Sequence, residues 1–342
     1  MLTFEVILKA GYAIGTGHLT RVLGLMEELC KLSRVPLRFH LVSDLLAPEL
    51  LPLCAPFESV TVLKSFDELP GVSATLHPDL VLFDHYFVDA HTERRLRSLR
   101  PAPRLAVIDD LANRPHEADL LIDQGLLRKA GDYTDLVPPH CRLCTGPGYA
   151  LTRPVFATLK RRPLPPRPAV LLNFGGDDPA HALLFTLRSV LEAGLQERYT
   201  FTVLSGLSNR DGEELARLCA LHSLNFLTHT DHVPALFESH DLAIGALGGM
   251  FLERLAAGLP SIHVEVADNQ RGGAYVVERL DLGLTLHLED LQRPACVAAA
   301  LDALRTRAPD FTRRCRHVLD GRGLLRSATA LLELVDTVDV QG

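Results

Sequence analysis

The stretch AGYAIGTGHLTRVLGL, residues 10–25, combines a glycine-rich turn with a histidine and an arginine. It follows the apolar run LTFEVIL and leads into a helix-period pattern that begins at His18. The first amides of a helix lack intrahelical partners and carry partial positive charge, and glycine lets a ligand approach the backbone closely. The stretch therefore predicts a site for an anion such as a phosphate, with Gly15, Gly17 and Arg21 around it.

His18 is the residue in this stretch that can exchange a proton near neutral pH. From the stretch alone two interpretations stay open: His18 acts on whatever the turn binds, or it caps or packs a tight strand–helix turn. The spacing is not that of a familiar phosphate motif. GTGHLTR lacks the Gly-Lys-Ser/Thr ending of a P-loop and the third glycine of a dinucleotide fingerprint.

Short apolar strands alternate with helical patterns along the whole chain, which predicts an α/β fold built on parallel sheets. In the first half the patterns predict strands at 3–8, 37–42, 80–84, 104–108 and 119–122, and helices at 18–33, 44–52 and 89–99. In the second half they predict strands at 169–174, 200–206, 224–229, 241–246 and 260–266, and helices from near Pro179 and at 211–222, 250–258, 270–280 and 289–305.

Polar residues follow several of these strands, where ligands of open α/β sheets bind. The run LVLFDHYF leaves Asp84, His85 and Tyr86 at one strand end. Three bulky polar groups in a row exceed what a turn needs, so we predict that they contact the substrate. For Asp110 and Asp123, which follow other strands, the expected role is the ordinary one of shaping a turn or capping a helix.

Two further glycine turns follow strands of the second half, and each can offer free amides to a diphosphate. A glutamate one turn into the next helix can accept two sugar hydroxyls. One glycine pair alone is ordinary turn geometry, but two pairs at one sheet edge favour a nucleotide. The candidate nucleotide contacts are Gly175, Gly176, Gly248, Gly249, Glu253, Asn269 and Gln270.

The alternation is broken at FATLKRRPLPPRPAV, where clustered prolines stiffen the chain as in a connector. We therefore predict an N-terminal domain at 1–156, a linker at 157–168 and a C-terminal domain at 169–318. The segment 319–342 is helix-periodic behind two glycines, which predicts a terminal helix that crosses back to the N-terminal domain.

The composition narrows the class of protein. A length of 342 residues with 47% hydrophobic and 23% charged residues is typical of a two-domain globular protein. The net charge of −7 gives no basic field for nucleic acid. No signal peptide or transmembrane run is recognisable, so a cytoplasmic protein without membrane insertion is expected. The seven dispersed cysteines predict free thiols, and one CxxC, Cys141 to Cys144, is weak evidence for zinc.

Eight stretches resemble, in the same order, motifs of the UDP-sugar hydrolases of pseudaminic acid biosynthesis, whose relatives include a spore-coat polysaccharide protein. They are IGTGHLTR, FDHY, VIDDLANRPHEADLLIDQ, GPGYALTRPVF, NFGGDDP, AIGALGGMFLERLAAGLPS, ADNQ and LDGRGLLR, and they extend over nearly the whole chain. The first, third and fourth are the most specific. GPGYALTRPVF also brings Tyr149 and Arg153 into the set of expected substrate contacts.

The resemblance implies a GT-B architecture, with two Rossmann-like domains facing each other over a deep cleft. It implies that the second domain holds UDP and that the first supplies the chemistry. Water then displaces UDP at the anomeric carbon with C–O cleavage and inversion, and His18 is the catalytic residue. Neither a metal nor another cofactor is implied. The product is a free 2,4-diacetamido-2,4,6-trideoxy sugar, which a synthase converts to a nine-carbon sialic-acid-like sugar.

The chain departs from the family pattern after the first strand, at Lys9 to Tyr12, and in the phosphate loop, at Leu247, Met250 and Phe251. Losing small hydroxyl residues there weakens phosphate contacts or changes the leaving group, so the exact sugar and nucleotide stay open, as does the oligomeric state. Two other functions also stay open. One is a GT-B glycosyltransferase, in which an acceptor hydroxyl replaces water, and the other is a non-catalytic nucleotide-sugar binding protein.

Overall fold

The computed structural model describes residues 1–11, 17–228, 230, 232–267, 270 and 272–336. The chain divides into two compact units. Unit 1 comprises Met1–Arg153 and Arg322–Gly342, and unit 2 comprises Pro154–Gly321.

Unit 1 is built on a parallel sheet. Its strands are β1 (Leu2–Leu8), β2 (Leu37–Ser43), β3 (Ser59–Val62), β4 (Leu80–Asp84), β5 (Arg104–Ile108), β6 (Leu120–Asp123) and β7 (Arg142–Thr145). Its helices in the first part of the chain are α1 (Gly17–Leu32), α2 (Leu69–Leu76) and α3 (Ala90–Arg97). The strand order is β3-β2-β1-β4-β5-β6-β7, and every neighbouring pair is parallel.

Unit 2 repeats the design with a second parallel sheet. Its strands are β8 (Ala169–Asn173), β9 (Thr200–Leu204), β10 (Asn225–Leu227), β11 (Leu242–Ala246), β12 (Ser261–Val264) and β13 (Leu284–Leu286), in the order β10-β9-β8-β11-β12-β13. Its helices are α4 (Val155–Thr158), α5 (Ala182–Glu192), α6 (Gly212–Leu221), α7 (Val233–Ser239), α8 (Met250–Ala256), α9 (Gly273–Leu280) and α10 (Pro294–Val318). The predicted parallel α/β fold is confirmed.

The central strands are nearly all apolar because both faces of each sheet are covered. In β1, Phe4, Val6 and Leu8 belong to one buried cluster with α1, whereas Ile7 belongs to the cluster on the opposite face. Alternate residues of a strand point to opposite faces, so one short run serves both cores. Glu5 is the exception in this strand, because it is a fully buried carboxylic acid.

A helix from the end of the chain, α11 (Gly323–Asp336), packs on α1 and completes unit 1. Its residues Leu324, Ala328 and Leu331 are fully buried in the same cluster as Leu25 of α1. The apolar face of α1 is therefore covered by residues that lie some 300 positions later in the sequence. None of the helices in the described ranges has the length and apolar character that crossing a membrane requires.

Several local predictions were wrong. Residues 44–52 do not form an α-helix: the chain there pairs with Ala10 through hydrogen bonds at Leu45 and Ala47, and a 3-10 helix follows at Pro48–Cys54. Pro48, in the middle of the predicted helix, and Pro52, at its end, explain the difference, since proline has no amide N–H to donate. The helix predicted at 289–305 is a 3-10 turn followed by α10, which starts at Pro294.

Each sheet has a point where the strand order reverses, between β1 and β4 in unit 1 and between β8 and β11 in unit 2. At such a switch point the connections leave in opposite directions and open a crevice at the carboxyl ends of the strands. His18 is the second residue of α1, the helix that follows β1, and Asp84 ends β4. The two glycine pairs of unit 2 follow β8 and β11, so each set of predicted residues borders a switch point.

Candidate active site

His18, the second residue of α1, and Asp84, the last residue of β4, are in direct contact in unit 1. His18 Nδ1 lies 2.6 Å from Asp84 Oδ1, and both side chains are buried. An ionised carboxylate only accepts hydrogen bonds, so Nδ1 carries the proton and donates it to Asp84. Nε2, the other ring nitrogen, then carries the lone pair whenever the imidazole is uncharged, and in that form it can accept a proton from another group.

Arg21 lies one turn further along α1 and binds two carboxylates. Its Nε donates to Asp84 Oδ2 at 2.7 Å, and its Nη2 donates to the other oxygen of Asp84. Its Nη1 lies 2.8 Å and 3.1 Å from the two oxygens of Asp110. Arg21 Nη2 is also 3.2 Å from His18 Nδ1, but two donors face each other there, so this contact is not a hydrogen bond.

These neighbours keep Asp84 ionised. Burial alone would raise the pKa of its carboxyl, but the charge of Arg21 and the hydrogen bonds from Arg21 and His18 lower the pKa to about 2. The same contacts act on Arg21, where burial would lower the pKa of the guanidinium and the charges of Asp110 and Asp84 raise it well above its ordinary value. Asp84 and Arg21 therefore form a buried ion pair that contacts the imidazole of His18.

Tyr86 forms a side of the same site. Its ring meets the His18 ring edge-on at a centroid distance of 4.8 Å, and its hydroxyl donates to Asp110 Oδ2 at 3.5 Å. Burial, followed by the charge of Asp110, raises the pKa of Tyr86 above its ordinary value, so the hydroxyl stays protonated. Gln124, at the end of β6, donates to the other oxygen of Asp110 at 3.4 Å.

His85 belongs to a second, neighbouring group of side chains. Its Nδ1 accepts the backbone N–H of Phe87 at 3.1 Å, so its Nε2 carries the proton and donates to Asp44 Oδ1 at 3.0 Å. Lys9 Nζ is 3.5 Å from the other Asp44 oxygen. Burial lowers the pKa of His85, which leaves the ring neutral at neutral pH. Both of its nitrogens are therefore engaged within unit 1.

The turn-shaping role expected for Asp110 belongs to its neighbour Asp109. Asp109, not Asp110, shapes the turn: its carboxylate accepts the backbone N–H groups of Leu111 and Ala112 at 3.3 Å and 2.8 Å. Asp110 instead reaches Arg21. Adjacent residues at a strand end point in different directions, and no sequence pattern indicates which one faces the turn. Asp123 has the expected turn role, accepting Gly125 N–H at 2.7 Å.

The other residues predicted for the sugar side of the site lie in unit 1 at different depths. Gly17 is the first residue of α1, and Gly15 lies outside the described residues. Tyr149 packs half-buried against the core, beside Cys144, whose thiol raises the pKa of the tyrosine. Arg153 lies against Gly24 of α1. Substrate contact by these residues stays a prediction.

In unit 2 the glycine pair after β8 forms a tight, close-packed turn. Gly175 has a φ of +101°, a conformation that only glycine adopts at low cost. Gly176 lies against Gly206, which follows β9: a Cβ added to Gly206 would come within 1.9 Å of the Gly176 carbonyl oxygen. The end of β8 is fixed as well, because Asn173 Nδ2 donates to Leu204 O at 3.0 Å.

The second glycine pair lies between β11 and α8. The side-chain nitrogen of Gln270 would be 3.4 Å from a Cβ at Gly248, and Gln270 Oε1 accepts the backbone N–H of Val266 at 3.1 Å. Gln270 therefore ties the β12 end to this turn. Gly249 directly precedes α8, and Glu253 is buried in that helix. Asn269 lies outside the described residues.

Phe251 and Leu247, two of the residues that depart from the family pattern, pack against other side chains and backbone of unit 2. The Phe251 ring meets the buried His263 ring edge-on at 5.1 Å, and Leu247 packs against Gly273 at the start of α9. Arg254, fully buried behind them, donates to Ala246 O at 2.6 Å, and burial lowers its pKa to about 10. Phe251 and Leu247 therefore fill space inside unit 2.

The seven cysteines are free thiols. Among the described residues, no three or more histidine, cysteine, aspartate or glutamate side chains are grouped so that they would hold a metal ion.

The chain is similar to a known sugar-nucleotide enzyme. It is 25% identical to the UDP-2,4-diacetamido-2,4,6-trideoxy-beta-L-altropyranose hydrolase of Campylobacter jejuni over 237 residues, which are 68% of this chain and 81% of the relative. The resemblance predicted from the motifs is thus confirmed as a relationship to a UDP-sugar hydrolase. No family model matches the chain.

Solved structures of other proteins share this architecture. MurG of Acinetobacter baumannii has a TM-score of 0.66 at 12% identity and covers 97% of this chain and 100% of its own. The Medicago truncatula enzyme UGT71G1, solved with UDP-glucose, has a TM-score of 0.64 at 11% identity and covers 98% of each chain. The fold is GT-B. Proteins that share a fold at such low sequence identity can catalyse different reactions, so the activity has to be argued from the site.

Proposed function

We propose that this protein is a nucleotide-sugar hydrolase that splits a UDP-sugar into UDP and free sugar by attack of water on the anomeric carbon. The observation that carries the proposal is the hydrogen bond between His18 Nδ1 and Asp84, which leaves Nε2 as the ring nitrogen that can act as a base. The relationship to a hydrolase of UDP-2,4-diacetamido-2,4,6-trideoxy-beta-L-altropyranose supports this sugar class as the substrate.

In the proposed reaction, Nε2 of His18 accepts a proton from a water molecule as the water oxygen forms a bond to the anomeric carbon. The bond between that carbon and the diphosphate oxygen breaks, and UDP leaves with the electron pair. The buried, ionised Asp84 stabilises the imidazolium that forms. Attack from the side opposite the leaving group inverts the anomeric configuration.

Arg21 has a positioning role in this scheme. Its guanidinium is shared between Asp84 and Asp110 and fixes the carboxylate that orients His18. Tyr86 limits the movement of the imidazole from the side, through the edge-on contact of the two rings. A base held in this way meets water in one orientation. This positioning raises the rate of the proton transfer.

The nucleotide is assigned in this proposal to the glycine turns of unit 2. Backbone amides at Gly175, Gly176, Gly248 and Gly249 would donate to the diphosphate and stabilise the negative charge that develops on the leaving group. Glu253 would accept the hydroxyls of the ribose. Support comes from the position of both turns at the switch point of the unit 2 sheet.

The test is incubation of the pure protein with UDP-2,4-diacetamido-2,4,6-trideoxy-beta-L-altropyranose in ¹⁸O-water without an acceptor. We expect UDP and free sugar, with the label in the sugar and an inverted anomer first in the proton NMR spectrum. His18→Ala should lower the rate about 10²–10⁴-fold, the usual contribution of a general base. His91→Ala, on the exposed surface of α3, is the matched control and should keep the full rate.

A second candidate is a glycosyltransferase that uses the same donor. It is favoured by the glycosyltransferases among the solved structures that share the fold, such as WaaG and the rhamnosyltransferase SpnG. In that case UDP appears only after an acceptor with a free hydroxyl is added, and no label enters free sugar. The same incubation, repeated with and without acceptor sugars, therefore separates the two functions.

A further inference from the structure

Phe87 is a large apolar side chain that unit 1 exposes beside the candidate active site. Its side chain is part of the turn after β4, and the residue is 75% exposed. It directly follows Tyr86, whose ring contacts His18, and consecutive Cα atoms are only about 3.8 Å apart. Single exposed apolar residues are ordinary on protein surfaces, so the position matters here more than the exposure.

Polar neighbours support this exposed ring. The Phe87 backbone N–H donates to His85 Nδ1, and the two rings meet edge-on with centroids 5.9 Å apart. Lys9 Nζ lies over the Phe87 ring at 5.3 Å from its centroid. His85 is itself held by Asp44 on one side and by the Phe66 ring, 5.0 Å away, on the other. These contacts therefore hold the Phe87 ring in place while it stays exposed to solvent.

We propose that Phe87 is a specificity-determining residue: a platform for the apolar part of the sugar, which favours a 6-deoxy sugar over its 6-hydroxy counterpart. This inference rests on the proposed function. C–H groups and a C6 methyl gain from contact with an aromatic face, because apolar area leaves water. A C6 hydroxyl placed against the same face loses hydrogen bonds to water and receives none in return.

The kinetic test compares two donors, UDP-2,4-diacetamido-2,4,6-trideoxy-beta-L-altropyranose and the same molecule with a hydroxyl at C6. The wild-type protein should prefer the 6-deoxy donor by about tenfold or more in kcat/KM, the scale of one methyl-sized discrimination. Phe87→Ala should remove most of this preference by raising KM for the 6-deoxy donor, with kcat nearly unchanged. Phe87→Tyr keeps the aromatic face and should keep the preference.

Leu221→Ala is the control variant, because Leu221 is 69% exposed at the end of α6 in unit 2. It should change neither KM nor the preference between donors. A Phe87→Ala protein that keeps the wild-type preference overturns the inference, and so does a loss of preference that comes from kcat alone.

A binding measurement separates this inference from the proposed function. Saturation-transfer NMR with free 2,4-diacetamido-2,4,6-trideoxy-L-altropyranose should transfer magnetisation from the protein to the C6 methyl, and Phe87→Ala should abolish that transfer. If wild type shows the transfer but hydrolyses neither donor, the hydrolase proposal fails and the platform stands. If hydrolysis occurs but the transfer is the same in Phe87→Ala, the platform fails and the hydrolase proposal stands.

Discussion

The contact between His18 and Asp84 determines which nitrogen of the imidazole can act as a base. A helix N-terminus and a carboxylate act on a histidine in opposite senses, and the sequence alone does not say how close the carboxylate comes. The 2.6 Å distance answers that question, because a proton must lie between Nδ1 and Asp84 Oδ1. The free position of the neutral ring is then Nε2.

Asp84→Asn tests this arrangement. An asparagine amide can donate to Nδ1 and so favour the tautomer that carries its proton on Nε2, which removes the base. We expect kcat to fall about 10²–10⁴-fold, with little change in the binding of UDP measured by calorimetry. Circular dichroism of the variant should remain that of the wild type. A variant that folds and turns over at the wild-type rate contradicts the role given to Asp84.

Glu5 predicts a dependence of stability on pH. It is fully buried in β1, Ser73 Oγ donates to its Oε1 at 2.9 Å, and its Oε2 has no hydrogen-bond partner among the described residues. Burial raises the pKa of this carboxyl to about 7, with a partial opposing effect of Ser73. The folded protein therefore favours the neutral acid, and stability decreases as pH rises from the unfolded pKa, near 4.3, through the folded one.

Glu5→Gln removes the ionisable group and keeps the shape. We expect the free energy of unfolding of the variant, relative to wild type, to increase between about pH 4.5 and pH 7 by about 3 kcal/mol. Urea unfolding curves across this range measure the difference. Equal pH profiles for the two proteins would show that Glu5 does not titrate in this interval.

At the scale of elements, the close approach of Gly206 to Gly176, in the turn after β8, leads to a further prediction. Gly206→Ala places a Cβ within 1.9 Å of the Gly176 backbone, so the turn after β8 must move. Overpacking of this kind costs about 1–3 kcal/mol. Gly212→Ala, at the start of α6 with no atom within 4 Å of its Cβ position, is the control and should be neutral or slightly stabilising. Thermal unfolding of both variants tests the difference.

Secondary structure was predictable where apolar runs are long and buried. The runs that became β1, β4, β8 and β11 were read correctly because both faces of a central strand are apolar. The edge strands β3 and β13 were missed, since half-exposed strands of three or four residues leave no such run. The same limit applies to the site. Sequence pointed to His18 and Asp84, but the partnership of Arg21 with Asp110 depends on which way adjacent side chains turn.

For the molecule as a whole, the predicted GT-B fold is confirmed, and the relationship to a UDP-sugar hydrolase agrees with the motifs. The motif order was sufficient for this because most of the stretches lie at strand ends of a repeated α/β pattern. Substrate identity was not predictable in the same way. A bulky residue such as Phe87 lies in a turn, where one side chain changes what a site accepts without altering the fold.

The return of α11 to unit 1 predicts the effect of a truncation. A chain that ends at Gly321 lacks Leu324, Ala328 and Leu331, which are fully buried against α1. We expect hydrogen exchange to show loss of protection throughout β1 and α1, while β8 and β11 keep theirs. The strands of unit 2 serve as the internal control in the same sample. Unchanged protection in β1 would contradict the role given to α11.

The same helix sets an order of events during protein synthesis. About 170 residues separate the end of the first part of unit 1 from α11, and all of unit 2 is encoded between them. At translation rates of roughly 5–20 residues per second, the ribosome needs roughly 10–35 s to reach α11. For that time the nascent unit 1 exposes the apolar face of α1. We therefore expect chaperones to bind the nascent chain mainly in this interval, and unit 2 to finish folding before unit 1 does.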